Sequence, residues 1–115
     1  MTVTIYHNPR CSKSRQTLAL LQERGVEPDI VEYLKTPPSA AELKAILKKL
    51  GLKPQDVVRN KEARYAELGL KDRAVSDDEL IALMVENPVL IERPIVVVGN
   101  KAAIGRPPET VLTIL

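Results

Sequence analysis

The sequence predicts an α/β domain on a mixed four-stranded sheet, in the order βαβ, helical insert, ββα. Three observations carry this. Short β-branched runs stand near both ends of the chain ("TVTIY", "DIVEY", "PIVVV"), and a run of capped helical patterns fills the middle. Between "PIVVV" and "KAAI" stands Gly99-Asn100, a two-residue hairpin signal.

The first strand is expected over Thr2 to Tyr6, after which Asn8-Pro9 turns the chain. A helix follows from Ser12 to Arg24, with Leu18 and Leu21 on one face and Gly25 as its stop. "DIVEY", Asp29 to Tyr33, reads as the second strand. Two strands joined through a helix pair in parallel, because a short turn cannot carry the chain back to the starting edge.

In the insert, Ser39 and Glu42 form a capping-box pattern ahead of Leu43, Ile46, Leu47 and Leu50, and Gly51 closes that helix. Ser76 and Glu79 repeat the device before Leu80, Leu83 and Met84. "KPQDVV" and "KEARYAELG" between them read as shorter helices. Pro94 to Val98 then forms a third strand and Lys101 to Ile104 an antiparallel fourth. Pro107-Pro108 opens a final helix through Val111, Leu112 and Leu115. This is the element order of a thioredoxin-like domain with an all-helical insert: one domain over 1–115, the insert at about 38–88.

Composition narrows the function. Hydrophobic residues are 44% and charged residues 28%, ordinary for a water-soluble domain. Phe and Trp are absent and Tyr occurs three times, so there is little aromatic surface for stacking on nucleobases. A net charge of +2 is too mild for bulk binding to nucleic acid or a membrane surface. No apolar run approaches a membrane span, and "MTVTIYHNP" lacks the layout of a signal peptide. With a single cysteine no internal disulfide can form, and a cytoplasmic location is expected. A monomer is expected.

Chemistry concentrates in "YHNPRCSKSR", which holds the only cysteine and the only histidine. Cys11 falls at the strand-to-helix turn, where unpaired N–H groups and the helix dipole favour a thiolate or a bound oxyanion. Arg10, Lys13, Arg15 and a protonated His7 are nearby cations that would lower its pKa. A lone cysteine is more often a small buried hydrophobe, but a Pro-containing turn and flanking charge argue for reactivity here. His7 could equally hydrogen-bond the loop backbone. Ser14 could donate to the thiolate, or bond to the helix backbone as such serines often do. Cys11-x-x-Ser14 lacks a second thiol, so any redox cycle must be completed by an external one. One Cys and one His cannot fill a zinc site, so no metal is expected.

Arg59, Arg93 and Arg106 stand where the chain changes direction. Each offers a planar fork suited to oxyanions, although a solvated surface Arg is the commoner occupant of such places. In a thioredoxin-like fold the loop before the third strand passes the first helix's N-terminus, which would bring Arg93 to Cys11.

Taken together, "YHNPRCSKSR", "YLKTPP", "VRNKEARYAELGL", "NPVLIERPIVV" and "GRPPE" resemble, in order and over nearly the whole chain, the glutaredoxin-dependent arsenate reductase family. The resemblance implies a thioredoxin fold and reduction of arsenate to arsenite. It implies Cys11 as the nucleophile that forms a thiol-arsenate ester, and Arg59, Arg93 and Arg106 as the substrate-binding arginines. His7, Ser14 and Arg15 match residues that support the thiolate. Glutathione is implied as co-substrate and glutaredoxin as partner, with no bound cofactor. Some members carry a further tail beyond the position of Leu115, and some have a small residue where Arg10 stands here.

Two other readings remain open at this point. One is a monothiol glutathione-dependent disulfide oxidoreductase, with the arginines gripping glutathione carboxylates. The other is a regulator resembling the Spx proteins, which share the fold and bind RNA polymerase; their redox-sensing members use a Cys-x-x-Cys pair that is missing here.

Overall fold

The computed structural model describes residues 2–115. It comprises two compact units: the chain through Thr36 together with Arg93–Leu115, and Pro37–Glu92.

The first unit holds the whole sheet. β1 (Val3–Tyr6) pairs in parallel with β2 (Asp29–Val31) and antiparallel with β3 (Ile95–Val98), which pairs antiparallel with β4 (Lys101–Ile104). The strand order is β2-β1-β3-β4, the mixed four-stranded sheet expected. β2 is shorter than "DIVEY" suggested, because Glu32 leaves the ladder and its carbonyl accepts from the N–H groups of Lys35 and Thr36 in a turn. At the β3–β4 hairpin Gly99 takes φ 58°, as a leading glycine does in a two-residue loop.

Register explains the core. Ile5 lies opposite Val96 and Val96 opposite Ala103, so all three share one face. α1 (Ser12–Glu23) covers that face with Leu21, Val111 joins the same cluster, and Val3, Leu18, Val26 and Ile114 pack around it. Each fully buried aliphatic side chain contributes roughly 1.5–3 kcal/mol.

The last segment departs from expectation. Pro108–Ile114 is a 3₁₀ helix, not an α-helix. A three-residue turn aligns positions 108, 111 and 114 on one side, and Pro108 and Val111 are buried there while Ile114 packs on the core cluster. Leu115, assigned to the apolar stripe of an α-helix, is 48% exposed. The Pro107-Pro108 start and the three-residue spacing of buried positions select the tighter helix.

The second unit is helical. α2 (Ala40–Leu50) begins with the full capping box: Ser39 Oγ accepts from Glu42 N–H at 3.1 Å, and Glu42 Oε1 accepts from Ser39 N–H at 3.3 Å. Gly51 closes it in the left-handed conformation, φ 69°. α3 (Pro54–Val57) and α4 (Ala63–Glu67) are short, as the sequence suggested. α5 (Asp77–Glu86) is capped by Ser76, whose Oγ accepts from Glu79 N–H at 3.1 Å, but the expected box is only half formed, because the Glu79 carboxylate pairs with Arg73 Nη1 at 3.2 Å. It packs on α2 and α3, and Leu43, Ile46, Leu47, Val57, Leu80, Ile81 and Met84 are buried in this unit.

Candidate functional site

Tyr6 ends β1 and the chain enters the loop that delivers Cys11 to α1. Asn8 organises this loop at three points. Its carbonyl accepts from Cys11 N–H at 3.0 Å, its Oδ1 accepts from Arg10 N–H at 3.0 Å, and its N–H donates to Ser14 Oγ at 3.0 Å. The Asn-Pro turn was legible in the sequence, but this threefold use of Asn8 was not. The Asx-turn tendency of Asn before a turn was the available signal.

Cys11 is the N-cap of α1, extended at φ −93° and ψ 124°, and its residue is 8% exposed. Its thiol makes no complete side-chain cap hydrogen bond. The N–H groups of Lys13 and Ser14, at the second and third helical positions, nevertheless favour its anion. Burial is the largest single influence and pushes the thiol pKa up. The Ser14 N–H, the Arg93 charge, the Lys13 N–H and the Arg106 charge together outweigh it, so the pKa lies below the ordinary thiol value.

The cations involved are not the ones adjacent in sequence. Arg106 Nη2 lies 3.9 Å from Cys11 Sγ, and Arg106 Nε donates to the Arg93 carbonyl at 3.0 Å, which ties the two arginines together. The bond Arg93-Pro94 is cis, as is Arg106-Pro107. Arg15 donates from Nη1 to the Pro9 carbonyl at 3.0 Å and braces the loop that carries Cys11.

The His7 and Ser14 side chains engage each other. His7 is 6% exposed, and its pKa is lowered, first by burial and then by the charge of Arg15, against a raising influence of Glu32. It is therefore neutral at pH 7 rather than a cation beside the sulfur. His7 Nδ1 and Ser14 Oγ are 2.6 Å apart. The Ser14 hydroxyl is thus spent on His7 and Asn8, and Ser14 reaches the sulfur through its main-chain N–H.

Arg59 lies in the helical unit, where its N–H donates to the Leu90 carbonyl at 2.7 Å and its Nη2 pairs with Glu62 Oε2 at 3.4 Å. Its side chain is 22% exposed. Among the described residues no group of three or more His, Cys, Asp or Glu side chains is arranged to hold a metal ion, and no helix is long and apolar enough to cross a membrane.

This geometry has relatives. The family model described as "ArsC family" matches residues 6–114. The chain belongs to the ArsC family. Among curated ArsC relatives, the Escherichia coli K12 protein YfgD is 58% identical over 98% of this chain and 96% of its own. A Haemophilus influenzae protein named arsenate reductase is 52% identical over the whole of both chains. A solved structure titled arsenate reductase from Vibrio cholerae superposes with a TM-score of 0.96 at 55% identity, covering 100% of this chain and 98% of that one. The ArsC fold here is accordingly thioredoxin-like, an α/β domain on a mixed sheet.

Proposed function

We propose that this ArsC protein is an arsenate reductase that uses Cys11 as its nucleophile. The observation that carries the reading is the Cys11 sulfur at the head of α1, with the Arg106 guanidinium 3.9 Å away and the Arg93 charge helping to lower its pKa. The arsenate reductase names of its relatives supply the substrate.

In this reading arsenate docks by its oxygens on the forks of Arg93 and Arg106 and on N–H groups of the first turn of α1. By the family resemblance, Arg59 is proposed as a further substrate-binding arginine. The Cys11 thiolate attacks arsenic, an S–As bond forms, and one arsenate oxygen leaves as water after taking up protons. The guanidinium groups neutralise the charge of the oxyanion that would otherwise repel the thiolate. His7, Ser14 and Arg15 hold the loop that keeps the sulfur in place.

Arsenic must then gain two electrons to become arsenite. Cys11 ends the cycle as the thiolate it began as, and no second cysteine exists in the chain, so both electrons come from external thiols. Glutathione attacks first, glutaredoxin takes the glutathionyl group as a mixed disulfide, and arsenite leaves. Two thiols become one disulfide for each arsenate reduced. The protein is proposed to work in the cytoplasm, as a monomer and without a bound cofactor.

Purified protein with arsenate, glutathione, glutaredoxin, glutathione reductase and NADPH should oxidise NADPH in an arsenate-dependent manner, and Cys11→Ser should abolish it. Absence of arsenate-dependent oxidation, with glutaredoxin shown active on a standard disulfide, would overturn the proposal. Oxidation driven by a glutathionylated peptide in the absence of arsenate would replace it with a disulfide oxidoreductase.

A further inference from the structure

The buried residues of α1 are Ser14, Thr17 and Leu21, so the stripe that is apolar at its far end turns polar toward Cys11. Thr17 is fully buried, and its Oγ1 donates to the Lys13 carbonyl at 2.8 Å. Against it lies Gly105, itself buried, whose N–H donates to the Pro94 carbonyl at 2.9 Å.

Gly105 differs from the other glycines. Gly25, Gly51, Gly69 and Gly99 all take positive φ, whereas Gly105 does not, so backbone freedom does not explain it. Space does. A Cβ at position 105 would overlap Thr17 Oγ1 and stand 2.8 Å from Pro94 Cγ and 3.1 Å from Thr17 Cγ2. Pro94 is fully buried and its ring has little room to give way. The chain leaving β4 therefore lies directly on α1 and on Pro94 only because residue 105 has no side chain.

Three groups that act on the Cys11 sulfur adjoin this contact. Arg106 follows Gly105, Arg93 precedes Pro94, and Lys13, whose N–H faces the sulfur, has its carbonyl held by Thr17. We propose that the Thr17–Gly105–Pro94 contact is a positioning device for the site: it sets the approach of β4's exit to α1, and with it the distance of Arg93 and Arg106 from Cys11. Thr17 and Gly105 touch neither sulfur nor substrate; they act through the two arginines and the first turn of α1. The proposal deepens the Cys11 anion-site reading and rests on it.

The test is Gly105→Ala, alone and combined with Thr17→Ala, with Thr17→Val as a variant that adds no bulk. The readout is the Cys11 thiol pKa, taken from the pH dependence of iodoacetamide alkylation, which is specific because the chain has one cysteine. Gly105→Ala should raise the midpoint by about half a unit or more, equivalent to a roughly threefold loss of thiolate on the acid side. Measured against Thr17→Ala alone, which already lacks the bond to the Lys13 carbonyl, the added Gly105→Ala should give a smaller rise, because the α1 side of the contact is cleared while the Pro94 side remains tight. Thr17→Val, which loses the bond to the Lys13 carbonyl, should give a smaller rise.

Leu21→Ala is the control for mere destabilisation: it should lower the melting temperature and leave the thiol midpoint in place. A Gly105→Ala midpoint equal to that of the wild type overturns the proposal, as does a Gly105→Ala rise that is as large on the Thr17→Ala background as on the wild type. If Gly105→Ala does not fold, an unshifted midpoint in Thr17→Val overturns it. None of these readouts needs arsenate. A wild-type thiol titrating at the ordinary value would instead sink the anion-site reading, so the two failures are distinguishable.

Discussion

Arg106 Nη2 stands 3.9 Å from Cys11 Sγ although 95 positions of chain separate the two residues. The same guanidinium donates through Nε to the Arg93 carbonyl, so one side chain links the thiol to the loop that carries the second arginine. Removing it should therefore cost the thiolate a charge and the loop a tether.

Arg106→Ala is expected to raise the Cys11 pKa by about half to one unit, the contribution of one partly solvated cation near the sulfur. Arg106→Lys should recover part of the shift, since a lysine restores the charge but not the fork that reaches Sγ and the Arg93 carbonyl together. Alkylation rates followed across pH measure both. An unshifted midpoint in Arg106→Ala would show that the guanidinium does not act on the sulfur.

Because the folded Cys11 pKa lies below the ordinary value of 9.0, ionisation of this thiol favours folding. That contribution is complete above about pH 9, where the unfolded thiol is also ionised, and is lost as pH falls through the lowered folded pKa. The urea midpoint of the wild type relative to Cys11→Ser should therefore climb with pH through that window and level off above it. A flat difference would contradict the assigned direction.

His7 is the only histidine, so its ring proton resonances can be followed without assignment. Their titration midpoint should fall below 6.5, because burial opposes the charged ring more than Glu32 favours it. The stability linked to the neutral ring is present above pH 6.5 and lost as pH falls through the lowered midpoint. A midpoint above 6.5 would mean that His7 carries its proton as the sequence neighbourhood suggested.

Ser39→Ala should destabilise the helical unit by about 1 kcal/mol, the usual cost of removing a side-chain N-cap. Ser39→Gly should cost only a few tenths. Urea denaturation followed by circular dichroism separates the two. No loss in Ser39→Ala would show that the Ser39–Glu42 box contributes little.

The features legible along the chain are those held by local interactions. Ser39 with Glu42, Ser76 with Glu79 and Gly51 mark helix ends through bonds spanning a few residues, and they stand where the sequence suggested. The β-branched runs and Gly99-Asn100 likewise specified β1, β3 and β4 to within a residue. Cys11 at the head of α1 was legible for the same reason. The tertiary structure decided the rest. It set the 3₁₀ period of 108–114, whose buried positions depend on the sheet beneath them, and the neutral state of His7, which depends on burial. Above all, it made Arg93 and Arg106, which fold class and family resemblance had already assigned to the site, the charges that act on Cys11, rather than the sequence neighbours Arg10, Lys13 and Arg15. Charge acts through distance in space, and that distance is created when β3 folds back beside β1, β4 pairs with β3, and Gly105 lets the chain settle against Thr17.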